Sequence, residues 1–233
     1  MLVALPQREQ DLLKRDLVAC ALLRGDVLHE AGGEVEHVYF PQSGVAALVA
    51  VMEDGAAVEM ATIGREGIVG FSTAEPTGAF ARCVVQIPGR ARRIPIDRFR
   101  AVYAESPALR ALVERYREAL ACQVMQTVAC NALHGVEQRF CRWLLTCRDR
   151  TGGNVVPLTQ EAMAEMLGVQ RTTVTAAARS LQDQGLIRYR RGLIECVDLA
   201  GLEAASCECY RVVRARFEAL LPSTYGDPPQ AGQ

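Results

Sequence analysis

The sequence is poor in lysine and in aromatic residues: Lys14 is its only lysine, and Phe, Trp and Tyr make up 6% of the chain. Because 50% of the residues are hydrophobic, a mostly disordered chain is excluded, and the core has to be mainly aliphatic. The net charge of −1 excludes a protein that is basic overall, but not a local basic surface. The remaining basic residues are arginines, which suit phosphate and guanine recognition, although a GC-rich genome would produce the same bias.

Neither a secretory signal nor a membrane span is predicted. Residues 1–5 are followed directly by Pro6 and charged residues, which is unlike a signal peptide. Residues 119–136 carry no formal charge, but four of them are polar groups that a bilayer core would not accept without partners: Gln123, Gln126, Asn131 and His134. The nine cysteines fit a reduced cytoplasm. We therefore expect a cytoplasmic protein without a membrane partner.

The N-terminal half begins with a short helical pattern over residues 8–23, and its residue pattern changes after that. From residue 26 to 96, glycines separate β-rich runs at 35–40, 45–51, 57–63, 83–87 and 92–96. Asp54 and Gly55 indicate a hairpin between two of these runs. Short strands at this spacing predict an antiparallel jelly-roll barrel, and the whole chain is predicted to be of the α+β class.

Three residues of this region allow one enzymatic alternative. His29, Glu34 and His37 are ligand types that a cupin-like metalloenzyme places on a barrel of this kind. No His-x-His pair and no third strong ligand accompany them, so polar side chains at strand ends explain them better. Elsewhere no Ser-His-Asp order, phosphate-cradling loop or carboxylate pair is present. We therefore expect a protein that is not an enzyme and has no metal site, and no cofactor is required by the sequence.

A long helix is predicted over residues 107–134, with Ser106 as its N-cap and Pro107 in its first turn. At 1.5 Å per residue it would span about 40 Å, which one small barrel cannot cover. Bulky residues recur at steps of three and four along it. We expect them to pair with a second copy, as in a coiled-coil dimer: Leu109, Val113, Tyr116, Leu120, Val124 and Val128.

The strongest pattern lies at 158–181. Thr159 is a good N-cap, Gly168 permits the positive φ that ends a helix, and a second helix follows a short turn. Its predicted buried face is Val174, Ala177, Ala178 and Leu181, so the pattern predicts a helix-turn-helix. Two strands around residues 190–192 add a hairpin with a basic tip, the wing.

The outward face of the second helix indicates recognition of duplex DNA. Its polar residues are suited to base edges and phosphates in a major groove. Residues 138–195 hold nine arginines and five acidic residues, a net charge of +4, which leaves −5 for the rest of the chain. The predicted DNA-binding residues are Thr159, Gln170, Arg171, Thr172, Thr173, Thr175, Arg179, Arg190 and Arg191.

With these segments in order, the chain resembles the Crp/Fnr family of bacterial transcription regulators. The resemblance covers roughly residues 10–220; it is most specific at 159–197, and segments 38–44 and 63–70 are similar to the signatures of the family's sensor barrel. It implies a sensor barrel at 1–105, a dimerisation helix and hinge at 106–136, and a winged helix-turn-helix at 137–233. It also implies a homodimer on a two-fold-symmetric DNA site, in contact with RNA polymerase.

The resemblance assigns roles to several residues of the second helix. It implies that Arg171 reads guanine and that Thr159 and Thr173 contact phosphate. Three positions depart from the family pattern: Thr172 replaces a glutamate, Ala176 a base-reading arginine, and Gln170 a small N-cap. The DNA half-site should therefore differ from that of the cyclic-AMP branch.

The sensor pocket departs further. Where cyclic-nucleotide-binding members have Gly-Glu, this chain has Gly70 and Phe71, and Arg82 and Cys83 stand near the family's Arg-Ser or Arg-Thr pair. Because Phe71 cannot accept a hydrogen bond from a ribose hydroxyl, we expect a small-molecule effector other than cyclic AMP, or none.

Other sensing chemistries find little support. Only Cys20 lies in the N-terminal region where the oxygen-sensing branch carries its cluster cysteines, so that iron–sulfur centre is not expected. Haem through His29, His37 or a cysteine stays open. Cys207 and Cys209 are predicted to point apart on one helix, which argues against a chelate. The cysteines are interpreted as small buried apolar residues, with redox sensing as the alternative.

Overall fold

The computed structural model describes residues 1–71, 78–221 and 225. A 3₁₀ turn at Leu2–Ala4 and helix α1 (Gln7–Lys14) precede the strands of the barrel. These strands are β1 (Val18–Leu22), β2 (Val27–His29), β3 (His37–Pro41), β4 (Val45–Val51), β5 (Ala57–Ile63), β6 (Arg82–Ile87) and β7 (Gly89–Pro95). They form two antiparallel sheets, in the orders β1-β7-β3 and β2-β6-β4-β5. The α+β class and the N-terminal antiparallel barrel are confirmed.

The inner faces of both sheets supply the core of the barrel. Val38 and Phe40 of one sheet and Ala46 and Ile63 of the other belong to one buried cluster. The predicted hairpin between β4 and β5 is confirmed: Gly55 has a φ of 85°, and Asp54 Oδ1 accepts a hydrogen bond from the Ala56 amide at 2.9 Å.

The helical prediction over residues 8–23 was wrong in its second half. Only Gln7–Lys14 is helical, and Val18–Leu22 is a strand that pairs with β7. The leucine spacing imitates a helical face, but the β7 edge offers backbone partners that only the folded sheet supplies. Strand β2 and helix α2 (Ile96–Glu105), which follows β7 directly, were not predicted.

Helix α3 (Pro107–Leu133) begins and ends close to the predicted bounds. Ser106 Oγ accepts a hydrogen bond from the Leu109 amide at 3.1 Å, as an N-cap does. Gly135 follows, and helix α4 (Val136–Thr151) begins directly after it. Among the described residues, none of the helices combines the length and the apolar character that a membrane span needs.

Half of the predicted dimer stripe is buried inside the chain's own core. Leu109, Val113 and Tyr116 are at most 2% exposed, so a second chain cannot reach them. Each step of four residues rotates a position by about 40° around an α-helix, and the predicted stripe therefore drifts from one face to another. Leu120 and Val124 are half-buried, and Val128 is 67% exposed.

The C-terminal unit contains a small sheet and further helices. Its elements are β8 (Val155–Pro157), α5 (Gln160–Leu167), α6 (Arg171–Asp183), β9 (Ile187–Arg190), β10 (Leu193–Cys196), α7 (Leu199–Ala205) and α8 (Cys209–Leu220). Its sheet has the order β8-β10-β9. Cys207 precedes α8 and Cys209 begins it, so the prediction that both thiols lie on one helix was wrong.

The C-terminal unit packs on the outer face of the barrel. Val45, Ala47 and Val49 of β4 lie in one buried cluster with Phe140 and Leu144 of α4. These three residues alternate along β4 with Ala46, which points into the barrel. This is the pattern of a strand that is buried on both faces. The two units therefore share a continuous apolar contact.

Buried polar contacts also join the C-terminal unit to the barrel and to α3. Arg150 Nε lies 2.7 Å from Glu66 Oε1, and both side chains are at most 1% exposed. Arg150 also donates to Thr62 Oγ1 and, at 3.1 Å, to Gln123 Oε1. Burial alone would lower the pKa of Arg150, but the charges of Glu66 and Tyr225 and the hydrogen bond to Glu66 together outweigh it, so the pKa lies above its usual value.

A second buried contact joins α4 to β5. Trp143 Nε1 donates to Glu59 Oε2 at 2.9 Å. Burial raises the pKa of Glu59, and the hydrogen bond from Trp143 opposes the shift.

Glu66→Gln should destabilise the protein strongly, because it leaves the Arg150 guanidinium buried without a counter-charge. We expect a loss of about 3–5 kcal/mol in the free energy of unfolding, measured by denaturant titration. The control is Glu195→Gln, which removes the exposed pair with Arg188 and should cost less than about 1 kcal/mol. Equal losses in the two variants would contradict this role of the buried pair.

Candidate nucleic-acid interface

The predicted helix-turn-helix is confirmed as α5 and α6. Thr159 Oγ1 caps α5 by accepting a hydrogen bond from the Ala162 amide at 3.3 Å. Gly168 ends α5 with a φ of 62°, and α6 begins at Arg171. A Cβ on Gly168 would lie 3.1 Å from Val58 Cγ2, so the turn also contacts strand β5 of the barrel.

Helix α6 has one buried face and one open face. The predicted buried residues Val174, Ala177, Ala178 and Leu181 are at most 8% exposed. The opposite side borders an open groove lined by Thr172, Thr175, Ala176, Arg179, Ser180, Asp183 and Gln184. Gln170 stands at the N-cap without capping the helix through its side chain, which leaves its amide group available.

Like Thr159, two more of the predicted DNA-binding residues, Arg171 and Thr175, already have partners within the helix-turn-helix. Arg171 Nη1 lies 3.0 Å from Glu161 Oε1, with both side chains more than half exposed. An exposed pair of this kind stabilises by less than about 1 kcal/mol, so the guanidinium can exchange it for another acceptor. The Thr175 hydroxyl lies 3.0 Å from both Gln160 Oε1 and the Arg171 carbonyl. The contact with Gln160 joins α6 to α5. The Thr175 side chain is half-buried, whereas Thr172 and Thr173 are exposed.

The wing is a two-residue hairpin. Arg190 pairs with Leu193, and between them Arg191 and Gly192 have φ values of 47° and 79°. Positive φ at both positions is typical of a type I′ turn, which an arginine rarely occupies at its first position. The turn places the exposed Arg190 and Arg191 at the tip.

A barrel arginine that the sequence analysis did not identify lies beside this surface. Arg24 Nη2 donates to Thr159 Oγ1 at 3.0 Å across 135 positions of sequence. A Cβ on Gly192 would lie 3.6 Å from Thr159 Cγ2, so the wing tip is also adjacent. No local pattern could have revealed Arg24, because its position depends on the packing of the barrel against α5.

The positive charge of residues 138–195 is less available than the composition indicates. Arg139, Arg142 and Arg150 are at most 8% exposed and serve the interior. Within the described parts of the chain, Arg179, Arg190 and Arg191 form no salt bridge. The cations of the surface are therefore concentrated on α6 and the wing.

The predicted pocket residues of the barrel have protein partners. Gly70 has a φ of 85°, and a Cβ there would lie 2.4 Å from the His37 carbonyl oxygen. The Phe71 ring lies 4.7 Å, between centroids, from both Phe99 and Tyr103. These contacts make Phe71 part of an aromatic cluster.

Arg82 and Cys83 do not form an anion site together. Arg82 Nε lies 2.7 Å from Glu30 Oε2 in a partly exposed pair, which another acceptor could replace as at Arg171. Cys83 is buried in the barrel, and burial raises its pKa to about 12. Residues 72–77, between the two halves of the predicted pocket, lie outside the described residues.

The alternative metal set of His29, Glu34 and His37 is not brought together. The two histidines lie on β2 and β3, which belong to different sheets. Among residues 1–71, 78–221 and 225, these three residues form no group with metal-ligand spacing. The cupin-like metalloenzyme is therefore not favoured.

Two family models match the chain. The model of the cyclic nucleotide-binding domain matches residues 20–106, and the model of the Crp-like helix-turn-helix domain matches residues 138–205. Together they span more than half of the 233 residues, with the barrel first. No curated protein sequence matches the chain.

The fold is similar to solved structures of transcription regulators. FixK2 from Bradyrhizobium japonicum is 13% identical, with a TM-score of 0.71 over 82% of this chain and 98% of that chain. A CRP-family regulator from Thermus thermophilus is 20% identical, with a TM-score of 0.66 over 80% and 96%. The c-di-GMP-responsive regulator CLP of Xanthomonas campestris is 13% identical, with a TM-score of 0.65 over 83% and 100%. At these identities the likeness shows the fold alone.

Gly168→Ala should destabilise the protein by about 1–2 kcal/mol, because an L-residue is strained at a φ of 62°. The contact with Val58 gives the new methyl group little space. Gly153→Ala is the control, since Gly153 has open space around it and lacks a positive φ. Thermal unfolding of both variants tests this; no difference between them would contradict the strain at the turn.

Proposed function

Because this chain belongs to the Crp/Fnr family of transcription regulators, we propose that it binds double-stranded DNA as a homodimer on a two-fold-symmetric site. Each copy inserts α6 into a major groove. The observation that carries the proposal is the open polar face of α6, which lies opposite its apolar buried face and beside a basic wing.

Roles on the DNA follow from exposure and position. Arg171 at the first turn of α6 reads guanine, with Gln170 and Thr172 beside it at the base edges. Phosphate contacts come from Thr173 and Thr159, and from three cationic side chains on α6 and the wing: Arg179, Arg190 and Arg191. Arg24 of the barrel adds a further phosphate contact, since its guanidinium already lies beside Thr159. Thr175 supports α6 and contacts DNA only at the edge of the groove.

The dimer contact involves the face of α3 that its own chain leaves uncovered. Met125 and Val128 are 64% and 67% exposed, and Ala121 and Ala132 extend them at steps of four, three and four. This stripe lies opposite the buried Gln123, Thr127 and Cys130 of the same helix and carries no charge. Pairing two copies would cover it, with Leu120 and Val124 at its border.

The barrel is proposed to sense a small molecule other than cyclic AMP, and RNA polymerase is the proposed partner on DNA. Phe71 packs in an aromatic cluster with Phe99 and Tyr103, which supports a pocket unlike that of the cyclic-AMP branch. An effector would act by changing the balance between two arrangements of the C-terminal unit. To change the ratio of the two arrangements from 1:99 to 99:1, the effector has to bind one arrangement more tightly than the other by about 5.5 kcal/mol.

Arg171→Ala should weaken binding to a selected palindromic DNA about 10- to 100-fold, because one bidentate guanine contact is lost. Binding to unrelated duplex should change far less, since phosphate contacts remain. Both affinities are measured by mobility shift at two salt concentrations. The control is Arg100→Ala, an exposed arginine of α2 in the barrel, which should leave both affinities unchanged. An equal loss on both DNAs would reject base reading by Arg171.

Val128→Asp should dissociate the dimer, because it places a charge in the proposed apolar contact. Sedimentation equilibrium should then give the mass of one chain, whereas the unaltered protein gives twice that mass. Val3→Asp adds the same charge at a valine that is 89% exposed in the N-terminal 3₁₀ turn, outside α3, and should leave the dimer intact. Dimers in both variants would place the interface elsewhere.

A further inference from the structure

Four metal-binding side chains converge where α3 ends beside the start of α8. Cys130 and His134 lie one turn apart at the end of α3, and Cys207 and Cys209 lie on either side of Glu208, the N-cap of α8. Cys130 Sγ lies 3.5 Å from Cys207 Sγ, and Cys209 Sγ lies 3.4 Å from His134 Nδ1. One ligand atom from each residue lies within 4.8 Å of all the others.

We propose that these residues form a four-coordinate Cys₃His site for a single thiophilic divalent cation, with Zn²⁺ as the favoured ion. Zn²⁺ is bound tetrahedrally by thiolates at about 2.3 Å, which puts neighbouring ligand atoms about 3.8 Å apart. The observed separations of 3.4 and 3.5 Å are close to this spacing. An iron–sulfur cluster would need its cysteines further apart, around several iron atoms.

The surrounding groups are those that a metal site requires. His134 Nε2 lies 3.2 Å from Glu208 Oε2, so Nε2–H can donate a hydrogen bond to the carboxylate and leave the Nδ1 lone pair free for the metal. Gln126 Nε2 donates to Cys209 Sγ at 3.1 Å, which supports a thiolate at that position. This carboxylate–histidine arrangement is common around bound zinc and has no comparable use in a purely apolar cysteine cluster.

The charge balance also fits. A divalent ion with three thiolates and a neutral imidazole carries a net charge of −1. Two buried arginines, Arg139 and Arg142, interact electrostatically with Cys130, and their Nε groups have no hydrogen-bond partner within the described residues. On binding, each coordinating thiol releases its proton to solvent as the metal–sulfur bond forms.

The location gives the site a mechanical consequence. Cys130 and His134 end the proposed dimerisation helix immediately before Gly135, whereas Cys207 and Cys209 belong to the C-terminal unit. A bound ion therefore ties the two together across the break between α3 and α4. This consequence rests on the proposed function, but the existence of the site does not.

Metal content and Co²⁺ substitution test the site directly. Untagged full-length protein, purified without chelator, should contain one Zn²⁺ per chain by elemental analysis. After removal of zinc under reducing conditions, Co²⁺ should produce the intense visible bands of tetrahedral cobalt and a thiolate-to-cobalt charge-transfer band, and Zn²⁺ should abolish both. Unstructured or octahedral cobalt spectra, or zinc far below one per chain, would overturn the proposal.

Matched variants assign the ligands. Cys207→Ser and His134→Gln should each remove the tetrahedral cobalt spectrum or weaken Zn²⁺ affinity at least about 100-fold, as loss of a ligand does. Cys122 lies on α3 like Cys130 but outside the cluster. Cys122→Ser should therefore change neither the cobalt spectrum nor the Zn²⁺ affinity. Glu208→Gln keeps all four ligands and should weaken Zn²⁺ binding about 10- to 100-fold. Equal effects of Cys122→Ser and Cys207→Ser would overturn the ligand assignment.

Two other outcomes would replace the proposal. A Cys130–Cys207 disulfide would appear as two missing free thiols before reduction and as no metal in the purified protein. Iron with acid-labile sulfide would indicate a cluster instead of a single ion. Failure of DNA binding alone, with one zinc bound per chain, would contradict the proposed function and leave the metal site standing.

Discussion

Arg150 and Glu66 form an ion pair at the point where the barrel, the long helix and the C-terminal unit meet. The guanidinium also contacts Gln123 of α3 and lies 5.9 Å from the ring centroid of Phe217 on α8. A buried charge left without its partner costs several kcal/mol, so these elements have to meet in this arrangement or separate together. The position of α5 and α6 relative to the barrel therefore depends on this contact.

This dependence has a consequence for regulation. An apolar surface tolerates small sliding movements, whereas a buried polar network has only a few arrangements in which its groups are satisfied. The Trp143–Glu59 hydrogen bond adds a second contact of the same kind between α4 and β5. The boundary between the units is thus suited to discrete arrangements, which is what a regulator with two states requires. The thiol cluster beside Gly135 lies at the other end of α4 from Arg150, and an ion bound there would constrain the same unit from the opposite side.

Local signals predicted much of the fold, including the helix-turn-helix. Thr159 and Ser106 are N-caps, and Gly168 has the positive φ that its place after an apolar helical face indicates. The strand at 18–22 was mistaken for helix because the leucines of residues 12–23 follow a helical spacing and because the partner strand, β7, is about 70 residues further along the chain. Arg24 was missed for a similar reason, since nothing near it in sequence indicates its contact with Thr159.

The sequence by itself determined the elements whose stability is local: the capped helices, the glycine turns, the alternating strands and the apolar face of α6. Only the tertiary structure decided which face of α3 is covered, which arginines are buried and where the thiols meet. The physical reason is chain separation: Arg150 and Glu66 are 84 positions apart, and Cys130 and Cys207 are 77 apart. Contacts at such distances leave no periodic pattern, because they form only when separately folded elements pack together.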